Sequence, residues 1–167
     1  MMLELFLIRH ARADERGPTY PDDSLRPLVA KGHRQAKALA HLFGKGKTTF
    51  DHLFSSPYTR TAQTAEPLAA RLKRGHYIHY LDALAHDNYH ELLAELKEWL
   101  QPDDKTIALV GHEPYLSELC SILLTDQKDK LQIDFKKSAF AQLKGTLEPS
   151  AMTLTALIPF AWFKHLS

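Results

Sequence analysis

The sequence predicts a three-layer α/β/α protein built on a mostly parallel sheet. Two patterns point there. Residues 3–8 and 106–110 are short, nearly continuous apolar runs, as expected of parallel strands buried on both faces. Between such runs lie longer segments whose apolar residues recur at helical spacing, and strands alternating with helices put helices on both sheet faces. The 167 residues fit a single domain, 1–167, with a sizeable core.

In chain order, residues 3–8 read as the first strand. A loop over 14–27 follows, marked by Gly17, Pro18, Pro21 and Pro27. A helix over about 29–43 sets Ala36, Leu39, Ala40 and Phe43 on one face, and Gly44 and Gly46 end it. Residues 50–54 form the second strand. Ser56 and Pro57 then read as an N-cap and a first helical residue. Ala62, Ala65, Ala69 and Leu72 repeat helically behind them, with Pro67 kinking or splitting the helix. Residues 76–81 are a weak strand. Residues 91–100 are helical through Leu92, Leu93, Leu96 and Leu100. Residues 106–110 form a core strand, and 115–124 a helix with Leu116, Leu119, Cys120 and Leu123 inward. Residues 138–143 and 152–159 add two strands, antiparallel to each other, joined around Gly145 and Pro149. The tail, with Trp162 and Phe163 read as packing residues, is open to an edge-strand or a dimer-contact role.

Composition excludes several classes. A formal charge of +1 gives no footprint for bulk nucleic-acid binding. Lys128, Lys130, Lys136 and Lys137 read as solvated surface, a rim able to steer an acidic partner. Cys120 is the only cysteine, so no intrachain disulfide framework exists, and a reducing compartment is expected. Glu4 and Arg9 interrupt the first apolar run, unlike a secretion signal. No apolar stretch approaches the roughly 20 residues of a membrane span, so a cytoplasmic protein without membrane contact is expected. Neither a GxxxxGK nor a GxGxxG loop is present.

The chemistry lies at strand exits. LIRHARA, residues 7–13, ends the first strand with Arg9 and His10. SSPYTRTAQTA, residues 55–65, follows the second with Arg60. VGHEP, residues 110–114, ends a core strand with His112. In parallel α/β sheets that edge is where ligands bind. A neutral imidazole is a nucleophile toward phosphorus when its other nitrogen is held as a donor, here by a carbonyl in residues 11–14. Arg9 and Arg60 offer rigid forks of donors that match phosphate oxygens. An imidazolium at His112 can donate to the same group. Arginines beside the histidines disfavour a metal cation, and no cysteine or carboxylate cluster has ligand spacing.

These three motifs, in this order, resemble those of the histidine phosphatase superfamily, which includes the cofactor-dependent phosphoglycerate mutases. Ala11 stands where glycine is usual. The resemblance runs from residue 3 to about 160 and implies a phosphoglycerate mutase-like fold. It implies metal-independent, cofactor-free hydrolysis through a phosphohistidine on His10, with Arg9, Arg60 and His112 binding the phosphoryl group. Within the superfamily the chain is most similar to the short, SixA-type phosphohistidine phosphatases, whose D…R-P-L…G segment is echoed by Asp23, Arg26, Pro27, Leu28 and Gly32. Val29 stands where threonine is common.

Many members carry a glutamate acid within a helical cap between the second and third motifs. Too few residues separate Arg60 from His112 for a large cap. Asp82, Asp87 and Glu91 are the candidate acids, with Asp82 best placed after a strand-like run. An alkoxide needs a proton to leave, whereas an imidazole can leave already protonated. The absence of an obvious acid, together with an open pocket, therefore suits a phosphohistidine-bearing protein such as a phosphotransfer domain. The alternative is a small-molecule phosphomonoesterase on the same scaffold.

Overall fold

The computed structural model describes residues 2–86 and 88–166. Six strands form one sheet: β1 (Leu3–Arg9), β2 (His52–Ser55), β3 (Ile78–Tyr80), β4 (Thr106–Gly111), β5 (Phe140–Gly145) and β6 (Met152–Ile158). Their spatial order is β3-β2-β4-β1-β5-β6. β1, β2, β3 and β4 run parallel, and β5 and β6 add an antiparallel pair. Four helices pack on the sheet: α1 (Ala30–Lys45), α2 (Thr59–Ala65), α3 (Tyr89–Trp99) and α4 (Tyr115–Thr125).

Alternation along β1 divides the core. Leu3, Leu5 and Leu7 point to one face and join Leu92, Leu93 and Leu96 of α3 and Leu116, Leu119, Cys120 and Leu123 of α4. Phe6 and Ile8 point to the other and join Leu39 and Phe43 of α1 with Ala65 and Leu68. Helices on both faces of a mostly parallel sheet give the three-layer architecture expected, with no large cap inserted between α2 and β4. Among the described residues, no helix is long and apolar enough to cross a membrane.

Local differences from expectation have physical causes. α1 runs through Gly44, and Gly46 caps it in the right-handed region at φ −72°. The left-handed residue that turns the chain is Lys47, with φ 54°. Ser56 is not a helix cap: its N–H still pairs with Val110 O at 3.0 Å, extending the sheet, and α2 starts at Thr59. Pro67 does split the segment, which tightens into a 3₁₀ turn over Glu66–Arg71. Cys120 is fully buried, and burial pushes its thiol up to about 12, in keeping with a packing role. At the C-terminus the 3₁₀ turn Phe160–Trp162 sends Phe163 into the core against Phe140 and leaves Trp162 75% exposed, so only Phe163 packs.

Candidate active site

β1 and β4 are neighbours in register, with Arg9 opposite Gly111. The His10 N–H donates to Gly111 O at 3.1 Å, so His10 and His112 leave adjacent strands side by side, their ring centroids 5.3 Å apart. β2 ends on the other side of β4, and α2 follows at once, bringing Arg60 in its first turn to the same edge. The edge thus gathers Arg9, His10, Arg60 and His112 around a cavity of about 300 Å³ whose wall also includes Arg16, Asp23, Arg26, Glu113 and Lys137. A larger surface groove, about 680 Å³, beside Pro114 and Ser117 contains none of the histidines or arginines.

His10 is buried, and its Nδ1 lies 2.7 Å from the Ala11 carbonyl. A carbonyl only accepts, so Nδ1 carries the proton and Nε2 keeps its lone pair. Burial above all, then the charges of His112, Arg60 and Arg9, pushes the His10 pKa down to about 3. The ring is neutral across physiological pH.

Arg9 donates through Nη1 to Phe135 O at 2.5 Å. Arg60 binds Asp23 twice, Nη1 to its backbone carbonyl at 2.8 Å and Nη2 to Oδ2 at 3.0 Å, and lies over the Tyr58 ring. Ser56 Oγ stands 2.9 Å from His112 Nε2. Arg9 Nε, Arg60 Nε and His112 Nδ1 are all buried without a hydrogen-bond partner. Unpaired buried polar atoms are costly, and these three donors belong to residues of one cavity wall, a set that can serve an oxyanion. The imidazolium expected at His112 is corrected: burial, with Arg60 adding, pushes its pKa down to about 3, so it is neutral and donates through a single N–H.

The other expectations divide. Asp82 is not brought to the cavity; it is exposed and opens a 3₁₀ turn after β3, facing the charge of Glu95. Glu91 lies in the first turn of α3 and accepts from Asn88 Nδ2 at 3.0 Å. Asp87 lies outside the described residues. Asp23 and Arg26 gain a reason: Arg26 Nε bonds Asp23 Oδ1 at 2.8 Å, and Asp23 in turn orients Arg60. Lys137 is exposed, as the sequence predicts, and the fold adds where that surface lies. β5 comes in antiparallel beside β1, with Ser138 N–H donating to His10 O at 3.3 Å, and this sets Lys137 on the cavity wall. Sequence reasoning missed Arg16 and Glu113; the position of Glu113 directly after His112 was the available signal. The His52–Asp104 pair, at 2.9 Å, sits where β2 and β4 begin, at the opposite sheet edge from His10. Among the described residues, no cluster of three or more His, Cys, Asp or Glu is arranged to hold a metal ion.

Residues 5–95 match the family model of the histidine phosphatase superfamily, branch 1. The chain belongs to this superfamily. An uncharacterized protein of Picosynechococcus sp. is 30% identical over 143 residues, covering 86% of each chain. Among solved structures, the protein histidine phosphatase SixA complexed with tungstate superposes with a TM-score of 0.81 at 20% identity, covering 95% of this chain and 98% of that one. The alpha-ribazole phosphatase of Shigella flexneri gives 0.70 at 18% identity, covering 95% and 97%. The phosphoserine phosphatase of Entamoeba histolytica, in complex with 3-phosphoglyceric acid, gives 0.64 at 20% identity, covering 93% and 96%. At these identities the structural likenesses speak for the fold, and family membership makes the chain a histidine-type phosphatase, an enzyme. Its sequence resemblance to this superfamily thus holds, and substrate choice is left to the chemistry of the cavity.

Proposed function

We propose that this histidine phosphatase is a SixA-type phosphohistidine phosphatase that dephosphorylates a protein, such as a phosphotransfer domain, through a phosphohistidine on His10. The observation that carries the chemistry is a neutral His10, tied at Nδ1 to Ala11 O, amid three buried donors without partners. Nε2 attacks phosphorus, and the bond to the leaving nitrogen breaks. Arg9 Nε, Arg60 Nε and the free N–H of His112 tighten on the phosphoryl oxygens as they spread in the transition state. Ser56 donates to His112 Nε2 in this scheme, which sets the proton on Nδ1. Water then cleaves the phosphoenzyme and restores His10. Asp23 positions Arg60.

The protein substrate is favoured by the uncapped cavity, which leaves room for a histidine displayed on another surface. Arg12, Arg16 and Lys137 are exposed around it and suit an acidic partner. The cytoplasm is the matching compartment for a chain whose lone cysteine is buried and reduced. A small-molecule phosphomonoesterase is the second reading, favoured by one observation: a carboxyl group, Glu113, stands in the cavity itself.

The test is kcat/KM for a phosphohistidine-bearing phosphotransfer domain and for p-nitrophenyl phosphate, with wild type and His10→Ala. The proposal expects the phosphoprotein to be the better substrate by at least about 100-fold, with both activities lost in the variant. Preference for the small ester would move the assignment to the second reading.

A further inference from the structure

Two carboxyl groups share the cavity with His10, and their surroundings drive them apart. Asp23 is held ionised: it accepts from Arg26 at 2.8 Å, meets Arg60 at 3.0 Å and Arg16 at 3.5 Å, and these partners keep its pKa below the usual range. Glu113 is half-buried on the wall between His112 and α4, anchored by the Ser117 N–H, which donates to its Oε1 at 3.2 Å. Burial, with Asp134 adding, raises its pKa, against the opposing pull of Ser117 and Arg9. Carboxyl pairs separated in this way divide the labour of a site, the raised one holding the proton. Asp82 and Glu91 are not on the cavity wall, so among the described residues Glu113 is the one carboxyl there free of an arginine salt bridge.

We infer that Glu113 is the general acid of this site, protonating the atom that leaves phosphorus when His10 attacks. The inference rests on the phosphoryl-transfer reading of His10. In the first step the His10 Nε2–phosphorus bond forms and the bond to the leaving oxygen or nitrogen breaks. The leaving atom keeps that electron pair and takes the Glu113 proton. In the second step water attacks phosphorus, the phosphorus–Nε2 bond breaks, and the water's proton returns to Glu113. The acid matters most where the leaving group is a poor one. An alkoxide needs the proton, a nitrophenolate does not, and an imidazole can leave already protonated. Glu113 therefore widens the range of this pocket to alkyl phosphomonoesters.

The experiment compares kcat/KM for an alkyl phosphate (2-glycerophosphate) and an aryl one (p-nitrophenyl phosphate) in wild type, E113Q and His10→Ala, across pH. E113Q keeps an acceptor for Ser117 and loses the proton. The expected result is a fall of about 10²–10⁴ in the alkyl-to-aryl ratio, the range of general acid catalysis. The descending limb of the alkyl profile at high pH also disappears. The groups facing Glu113 are Arg9 from β1, Asp134 ahead of β5, Cys120 from α4, and His112 and Lys137 across the cavity. None of them is removed by the substitution, so the lost limb belongs to Glu113. Equal loss on both esters, the mark of a residue that only positions Arg9, overturns the inference, and so does no loss. A wild type that hydrolyses phosphohistidine in a His10-dependent way but no ester also overturns it. Absence of any His10-dependent turnover contradicts the proposed function instead. Should E113Q not fold, the wild type alone decides: its alkyl-to-aryl ratio falls as pH rises, and a flat ratio overturns the inference.

Discussion

The backbone N–H of Ala11 donates to the Thr64 hydroxyl at 3.0 Å, and that hydroxyl donates to the Arg60 carbonyl at 2.7 Å. One buried oxygen thus joins the residue whose carbonyl fixes His10 to the residue that supplies the second arginine. Thr64→Val keeps the shape and leaves the Ala11 N–H unpaired in the core, at a cost of about 1–3 kcal/mol. kcat should fall roughly tenfold, since small misplacement of a reacting group is costly. A thermal melt and steady-state kinetics on the purified variant check both numbers.

In the proposed mechanism Arg60 holds the phosphoryl oxygens, and its removal tests that role. Tungstate or inorganic phosphate should raise the melting temperature of the wild type, because a ligand of the folded state stabilises it. Arg60→Ala should abolish that rise and lower kcat/KM by about 10²–10³, the usual loss for one donor aimed at developing charge. Arg60→Lys should recover little, since a point charge does not replace the fork that binds Asp23 and substrate together.

The histidines set a pH dependence whose sign is fixed. His10 and His112 have folded pKa values of about 3, below the unfolded value near 6.5. Between those limits the unfolded chain binds more protons, so stability falls as pH falls from about 6.5 toward 3. Denaturant unfolding from pH 7.5 to 4.5 should show that slope, and His10→Ala should flatten it by about 1.4 kcal/mol per pH unit. Catalysis behaves differently: His10 stays neutral, so kcat/KM should show no acid limb near pH 6.5 from the nucleophile. A limb there that tracks protonation of His10 in a titration would contradict the assignment.

Gly32 marks where α1 passes the loop that follows His10. A Cβ at this position would land on the Arg12 carbonyl, which already accepts the Val29 N–H at 3.1 Å. Gly32→Ala should cost about 1–3 kcal/mol, the range for overpacking a close contact, and shift the loop carrying Ala11. Calorimetry and kcat on the same preparation should register both losses.

Asp82 gives a control in the other direction. It is exposed and away from the cavity, so Asp82→Asn should change kcat/KM on any substrate by less than about twofold. A loss of tenfold or more on alkyl phosphates would return Asp82 to the candidate acids.

Much of this was legible in the chain. The alternation of buried runs and helical periods predicts the three layers, because each element must hide one face. Three motifs at strand exits predict which side chains meet, since parallel strands all end on one edge. What was not legible depends on pairing across long sequence distances. Lys137 reads as surface, and only the placing of β5 beside β1 puts that surface at the cavity rim; Asp82 reads as a site residue because it follows a strand. That strand, β3, is the sheet's edge, two positions from β4. The protonation of His112 depends on burial and on Arg60, neither of which a sequence displays.

The most direct test of the central claim is to trap the phosphoenzyme. Rapid acid-free quench after mixing with a radiolabelled phosphohistidine protein, followed by peptide mapping, should find an acid-labile label on the peptide holding His10 and none in His10→Ala. Label on His112, or turnover with no labelled enzyme at any time point, would contradict the account.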